Sequence, residues 1–329
     1  MKKSILTGAA LALTLCAGVA DARNIVVTND DGLSSNVVAL YKALKAEGHD
    51  VIVSVPCQNQ SGMGAAIKVG QPLAPLAVAC RSDAAGKGAP GAGAMTRKDI
   101  PAGDFYYVDG TPVMAMLYGV DVVGKGRWGK AADLVISGPN EGQNVGPGIN
   151  GSGTVSAAQA ASSHGLSAIA LSAGMRTIDE KALANPASAQ VAALAVELVD
   201  RLDSLSQGGR MLPERLALNV NFPDKLDGAK WQASRIGTYE AYDMRFVNDM
   251  ANDATPLMKG MAKELGMTLP HLPGLSFGMS DAAPTAAQQN DEGVVYKTAI
   301  AVSPMQAGFE AHGLDGWADW VASSVAVGK

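Results

Sequence analysis

Three runs of consecutive apolar, mostly β-branched residues constrain this chain most: Ile25-Val26-Val27, Val51-Ile52-Val53 and Leu134-Val135-Ile136. A strand with one wet face alternates apolar and polar side chains, whereas a run apolar at every position is buried on both faces. Such strands belong to a parallel sheet covered by helices on each side. The intervening sequence agrees. Val37, Leu40, Tyr41 and Leu44 have helical spacing over residues 37–47, and Gly48 follows as a C-terminal cap. Further strands are expected at 24–28, 50–55 (stopped by Pro56), 133–137, 167–172 and 216–221, with helices at 155–164 and 188–205. The fold class is therefore α/β, a doubly wound, mostly parallel, Rossmann-like sheet. With 47% hydrophobic and 17% charged residues, the 329-residue chain is no candidate for disorder.

Two regions break the rhythm. Residues 84–103 are rich in Gly, Ala and Pro and read as a flexible insertion. From about 235 to 300 the periodicity fades, divided by Pro256, Pro270, Pro273 and Pro284, and this part reads as appended hairpins and short helices. A late strand is expected at 298–304 and a terminal helix at 317–325. No internal repeat is visible. Residues 23–329 thus read as one domain, with a core over about 23–223, the appended region at 235–300 and a terminal strand and helix within 295–329.

Residues 1–22 read as a cleavable signal peptide. Lys2 and Lys3 precede an apolar stretch from 5 to 19, and Ala20-Asp21-Ala22 supplies the small-x-small pattern, with cleavage expected after Ala22. The apolar stretch is short for a membrane anchor. Leu15 before Cys16 is larger than a lipoprotein site accepts. A periplasmic or secreted location follows as an expectation, with no membrane association once the leader is removed. Its loss takes away Lys2, Lys3 and Asp21 and moves the formal charge from −5 to −6. An acidic surface offers no footprint for duplex nucleic acid. In an oxidising compartment Cys57 and Cys80 read either as a disulfide or as two unrelated buried thiols, and the former is the expectation.

In a sheet of this type ligands bind beyond the carboxyl ends of the strands. After the first strand comes Asn29-Asp30-Asp31-Gly32. These are turn residues, yet two adjacent carboxylates repel unless a cation lies between them. Oxygen-only ligands suit magnesium, manganese or calcium rather than zinc. After the second strand comes Cys57-Gln58-Asn59-Gln60-Ser61-Gly62. After 133–137 comes the loop Ser137-Gly138-Pro139-Asn140-Glu141-Gly142-Gln143-Asn144, which leads to Gly151-Ser152-Gly153-Thr154 and a helix. Ser152, Gly153 and Thr154 either cradle an anion at the helix N-terminus or merely cap the helix.

Together these loops resemble the SurE family, the survival-protein nucleotidases that hydrolyse 5′- and 3′-nucleotides with a divalent metal. The resemblance rests on Ile25 to Gly32, Asn59-Gln60-Ser61-Gly62, Ser137 to Asn144 and Ser152 to Ala158. Smaller echoes are Asp109-Gly110-Thr111-Pro112, Leu218 to Pro223 and Ser303-Pro304-Met305-Gln306. It implies Asp30, Asp31, Ser61 and Asn140 as metal ligands, and Asn144, Ser152, Gly153 and Thr154 as the phosphate-binding set. One of the two aspartates would orient the attacking water. It also implies a homodimer or homotetramer, with the irregular 235–300 region as the interface or exchange element. Five positions depart from the family pattern. Cys57 stands for an Asp, Gln60 for an Arg, Gly151 for an aromatic residue and Met114-Ala115 for an Asp-Cys pair.

Other chemistries fit less well. His49, His164, His271 and His312 have no metal spacing. Ser152 lacks the Gly-x-Ser-x-Gly elbow of a serine hydrolase. The methionines at 244, 250, 258, 261, 267 and 279 are too irregular for a copper site. The competing class is a non-catalytic periplasmic binder of a phosphate-bearing ligand, for which two carboxylates beside the anion would be a disadvantage.

Overall fold

The computed structural model describes residues 22–178, 182–264 and 266–309, together with 316, 319 and 321–323. The expected signal peptide at 1–22, apart from Ala22, and most of the expected helix at 317–325 lie outside the described residues.

The buried runs form the strands they imply. In chain order the elements are β1 (Asn24–Thr28), α1 (Ser35–Ala46), β2 (Asp50–Pro56), β3 (Ala92–Ala94), β4 (Phe105–Val108), α2 (Pro112–Leu117), α3 (Lys125–Trp128), β5 (Leu134–Glu141), α4 (Gly153–Ser163), β6 (Ala168–Ala173), α5 (Pro186–Ser206) and β7 (Leu216–Asn221). Then follow β8 (Trp231–Ala233), β9 (Tyr242–Val247), α6 (Met250–Asp253), α7 (Pro256–Glu264), β10 (Gly274–Met279), α8 (Glu292–Val295) and β11 (Ile300–Gln306). Among the described residues nine strands make one sheet in the order β3-β4-β2-β1-β5-β6-β7-β11-β8. The strands from β4 to β7 pair in parallel. β3 and β11 run antiparallel to their neighbours β4 and β7. The sheet is thus the mostly parallel, doubly wound one expected.

Both faces are covered. One apolar cluster packs α1 and α5 through Val37, Leu40, Leu44, Val191 and Val199 onto Ile25, Val27 and Ile136. The other packs α2 and α4 through Val113, Met116, Val155 and Ala158 onto Val26 and Val135. The chain moves outward from β1 through β2 to β4, then returns to the other side of β1 and proceeds through β5, β6 and β7. Strand order therefore reverses between β1 and β5, the crevice where such sheets bind ligands. No described helix is long and apolar enough to cross a membrane.

Three sequence expectations are corrected. The run Ser137–Asn144 is not wholly a loop, because β5 continues through Glu141 with a register shift that pairs Asn140 with Ser172. A Gly-Pro pair reads as a strand breaker, yet here Gly138-Pro139 is a cis peptide inside the strand. Gly138 has φ +115°, and a Cβ there would fall 2.1 Å from the Leu171 carbonyl oxygen, so only glycine allows the approach. Second, the insertion at 84–103 is packed rather than loose. Ala84, Ala85, Met95 and Ile100 are buried in the main core, and β3 extends the sheet edge. Its small residues let the backbone approach closely, which composition alone renders as flexibility. Third, Pro56 belongs to β2 and pairs with Val108.

Cys57 and Cys80 form the expected disulfide. The region from 235 carries a separate two-stranded antiparallel sheet, β9–β10, whose strands are connected through α6 and α7. The two ends of the region are joined to each other by the bridge between Arg235 and Asp291.

Candidate active site at the β1–β5 crevice

Asp30 and Asp31 leave β1 at the reversal point and are each only 2% exposed. The structure gives them different surroundings. The Asp30 carboxylate lies at the N-terminus of α4 and accepts hydrogen bonds from the Thr154 backbone N–H at 3.0 Å and the Thr154 hydroxyl at 2.6 Å. Gly153 donates a further backbone hydrogen bond. The positive end of the helix thus fixes this carboxylate. Gly153 is required by space, because a Cβ there would lie 2.6 Å from Pro112 and 2.8 Å from the Asp30 Cβ.

Asp31 accepts from the Glu141 backbone N–H at 3.1 Å and, weakly, from the Asn59 side-chain amide at 3.4 Å. Its carbonyl accepts from Arg81 at 2.6 Å, and Arg81 also grips Glu141 with contacts of 2.8 and 3.0 Å. Arg81 follows directly on the disulfide-bonded Cys80, and its backbone N–H donates to the Cys57 carbonyl at 2.8 Å.

Burial dominates the electrostatics. It pushes the Asp30 carboxyl above the ordinary range, offset in part by the Thr154 hydrogen bonds. It pushes Asp31 well above that range, and the negative charges of Asp30 and Glu141 push further, against the pull of Arg81. A buried like-charged pair of this kind must take up either a proton or a cation.

The remaining donor set fits a hard cation. Asn140 donates through Nδ2 to the Gly142 carbonyl at 2.6 Å, which turns its Oδ1 the other way. That oxygen is buried and has no protein partner. An unpaired buried carbonyl-type oxygen is uncommon and wants an explanation, and a cation supplies one. The second loop closes over the pair, since the Gln60 N–H donates to the Asp30 carbonyl at 2.7 Å. Ser61 next to it is exposed, with its N–H on the Asn59 side chain at 2.9 Å. Among the described residues no three His, Cys, Asp or Glu side chains are grouped to bind a metal. A cation at the aspartates would therefore complete its coordination with neutral oxygens such as those of Asn140 and Ser61.

The expected phosphate-binding residues divide. The Ser152 hydroxyl accepts from the Val155 N–H at 3.1 Å and so caps α4, while its own hydrogen stays available. Thr154 spends its donors on Asp30 in this structure, which makes it a holder of the carboxylate. Asn144 is anchored on all sides. Its N–H donates to Asn221 at 2.8 Å, its carbonyl accepts from Asn219 and Asn221 at 2.9 Å each, and its side-chain amide donates to Ser172 at 2.9 Å.

Sequence reasoning missed Arg81, Glu141, Asn219 and Asn221. Arg81 carried a faint signal, its position beside a cysteine. Asn219 and Asn221 carried a better one, two polar residues at i and i+2 on one face of an apolar strand, where burial demands partners.

The chain is similar to the proteins of one family. The family model described as Survival protein SurE matches residues 25–243. The 5′-nucleotidase SurE of Deinococcus radiodurans is 37% identical over 200 residues, 60% of this chain and 62% of that protein. The 5′-nucleotidase SurE of Geobacter sulfurreducens is 36% identical over 202 residues, 61% and 62%. An acid phosphatase of Yarrowia lipolytica is 34% identical over 206 residues, 60% and 56%. The chain thus matches about three fifths of the length of these curated relatives. The crystal structure of the SurE protein from Aquifex aeolicus superposes with a TM-score of 0.62 at 24% identity, covering 91% of this chain and 99% of that one, and shows the same fold. With the matched segment spanning β1 through β7 and both aspartates, this chain belongs to the SurE family.

Proposed function

We propose that this protein is a divalent-metal-dependent phosphomonoesterase that releases phosphate from nucleoside 5′-monophosphates, and from 3′-monophosphates as a second class. The observation that carries this reading is the buried pair Asp30–Asp31, together with an Asn140 oxygen on the adjoining strand β5 that no protein group satisfies. The names of the relatives, 5′-nucleotidase and acid phosphatase, support the reaction class.

Magnesium or manganese held by Asp30, Asp31, Asn140 and Ser61 would polarise a phosphoryl oxygen and lower the pKa of water. The chain itself supplies the rest. Thr154 and Gly153 hold Asp30, and the Glu141 N–H holds Asp31, so neither carboxylate has to reorganise as the substrate arrives. One of the two carboxylates would orient the attacking water and take its proton. The Ser152 hydroxyl and the Asn144 amide supply neutral donors for phosphoryl oxygens. The deep burial of the aspartates excludes bulk water and strengthens each of these contacts.

Hydrolysis of p-nitrophenyl phosphate with added manganese, lost in EDTA and in Asp30→Asn, is the expected result. Binding of inorganic phosphate without turnover under the same conditions would instead make the protein a binder. Assay across 5′- and 3′-nucleotides then ranks the leaving groups.

Two further parts of the reading concern the protein's setting. Export with cleavage after Ala22 is supported by the Cys57–Cys80 disulfide, which persists in oxidising compartments. N-terminal sequencing of the protein recovered from its host tests it. Assembly into a homodimer or homotetramer is supported by the antiparallel pair β9–β10, which leaves Phe246 72% exposed beside the exposed Met244 and Leu275. Light scattering reads the mass directly.

A further inference from the structure

Glu292, the first residue of α8, is a fully buried carboxylate that the proposed hydrolysis does not use. One of its oxygens accepts from the Gly146 N–H at 3.0 Å and the other from the Asn219 side-chain amide at 3.0 Å. The Ser303 hydroxyl donates to it as well and shares a 2.8 Å hydrogen bond with Ser234. The Asn219 Nδ2 that serves Glu292 also serves the Asn144 carbonyl. The segment carrying Asn144 is thus held at its first residue by the two asparagines of β7 and, two residues on, by Glu292.

We propose that Glu292 is a positioning residue for the phosphate-binding segment, holding Asn144 in place through Asn219 and Gly146 when ionised and releasing it when protonated. The contacts supply a route for it. All three groups around the carboxylate donate to it. A proton on the oxygen that Asn219 faces meets a donor there and needs an acceptor, the Ser303 hydroxyl being the other group able to turn and take it. Asn219 Oδ1 is buried and has no partner, so it accepts that proton if the amide turns over. The turned amide then no longer donates to the Asn144 carbonyl.

Burial raises the Glu292 carboxyl to about 7, which puts the change within the ordinary working range. Among the charged groups near it, Asp291 pushes the carboxyl in the same direction as burial. Asp291 on the same turn is paired with Arg235 at 2.6 Å and accepts from the Thr238 and Tyr239 N–H groups. Lys297 lies over the Tyr239 ring, and Tyr239 donates to the Ala282 carbonyl. Tyr242 and Tyr296 of the same cluster bond each other. β7, β11 and the 144–146 segment present neutral groups, Asn219, Ser303 and the Gly146 N–H.

The inference rests on Asn144 contacting phosphate, and its test is built to fail separately from the hydrolytic reading. Two quantities are measured from pH 5.5 to 9 for the full protein and for Glu292→Gln. They are kcat/KM for p-nitrophenyl phosphate with manganese, and the affinity for inorganic phosphate by calorimetry. Taking the wild-type to variant ratio cancels the titration of the substrate and of the aspartates. The expected ratio is about tenfold above pH 8, the scale of a misplaced binding group, and falls towards one below pH 6, where Glu292 is neutral like Gln. A ratio that does not change with pH would overturn the inference and leave the hydrolytic reading standing. The same pH-dependent ratio in phosphate affinity, without turnover, would support the inference and sink hydrolysis. Should Glu292→Gln not fold, Ser303→Ala serves, which removes a donor to the carboxylate and leaves Asn219 in place. Losing a donor to the carboxylate moves the acid limb of its profile to higher pH, and an unmoved limb refutes the coupling.

Discussion

Replacing Asp31 by Asn should reverse the order of stability of the two proteins depending on whether metal is present. The side chain keeps its volume, and its amide oxygen still accepts the Glu141 N–H, so the crevice stays intact. What goes is a buried charge beside Asp30 and Glu141. At the effective dielectric of a protein site, unit charges within about 8 Å repel by roughly 2 kcal/mol. The sign follows from linkage. The folded-state pKa of Asp31 is raised, so its contribution is fully present below the unfolded value and is lost as pH rises through the folded one. In EDTA at pH 7.5, Asp31→Asn should therefore be more stable than wild type by about 2 kcal/mol, a rise in Tm of about 4 °C. Below pH 4 the difference should vanish. Manganese at about 100 times its Kd adds roughly 2.7 kcal/mol to a protein that binds it and nothing to one that does not. Differential scanning calorimetry in EDTA and in manganese reads all four values. A variant less stable than wild type in EDTA at pH 7.5 would refute the electrostatic argument. An equal manganese shift in both proteins would remove Asp31 from the metal site.

Two other substitutions test the surroundings. Cys57→Ala with Cys80→Ala opens a loop whose ends are 23 positions apart, and urea unfolding should show a loss of about 3 kcal/mol. Manganese affinity should fall as well, because the disulfide no longer fixes the residue before Arg81, whose side chain grips Asp31 and Glu141. Gly153→Ala puts a methyl group against the Asp30 and Pro112 side chains, which should abolish metal-dependent turnover while circular dichroism remains that of a folded α/β protein.

Much of the scaffold was legible because it is written locally. Runs such as Val51-Ile52-Val53 declare burial on both faces, and the spacing of Val37, Leu40, Tyr41 and Leu44 declares a helix, without reference to anything distant. The same holds for Asp30 and Asp31, whose adjacency alone raises the question of a cation. Where local signals and packing disagree, sequence reading failed. Gly138-Pro139 looks like a break, but the absence of a Cβ lets β5 pass the Leu171 carbonyl and continue to Asn140 and Glu141. The Gly/Ala-rich 84–103 segment looks loose, but small side chains also permit close backbone packing against the core.

The residues that hold the site were illegible for a different reason: each acts across a long stretch of chain. Arg81 reaches Asp31 50 positions away, Thr154 reaches Asp30 over 124, and Glu292 reaches Gly146 over 146. A buried polar residue in a sequence announces only that it has a partner, never which one. Asn219, Asn221 and Glu292 show what that leaves out. The family match ends at residue 243, yet a carboxylate beyond it holds the segment that carries Asn144. The appended C-terminal region is therefore tied to the crevice by hydrogen bonds, and changes around α8 should register in phosphate binding although they touch neither aspartate.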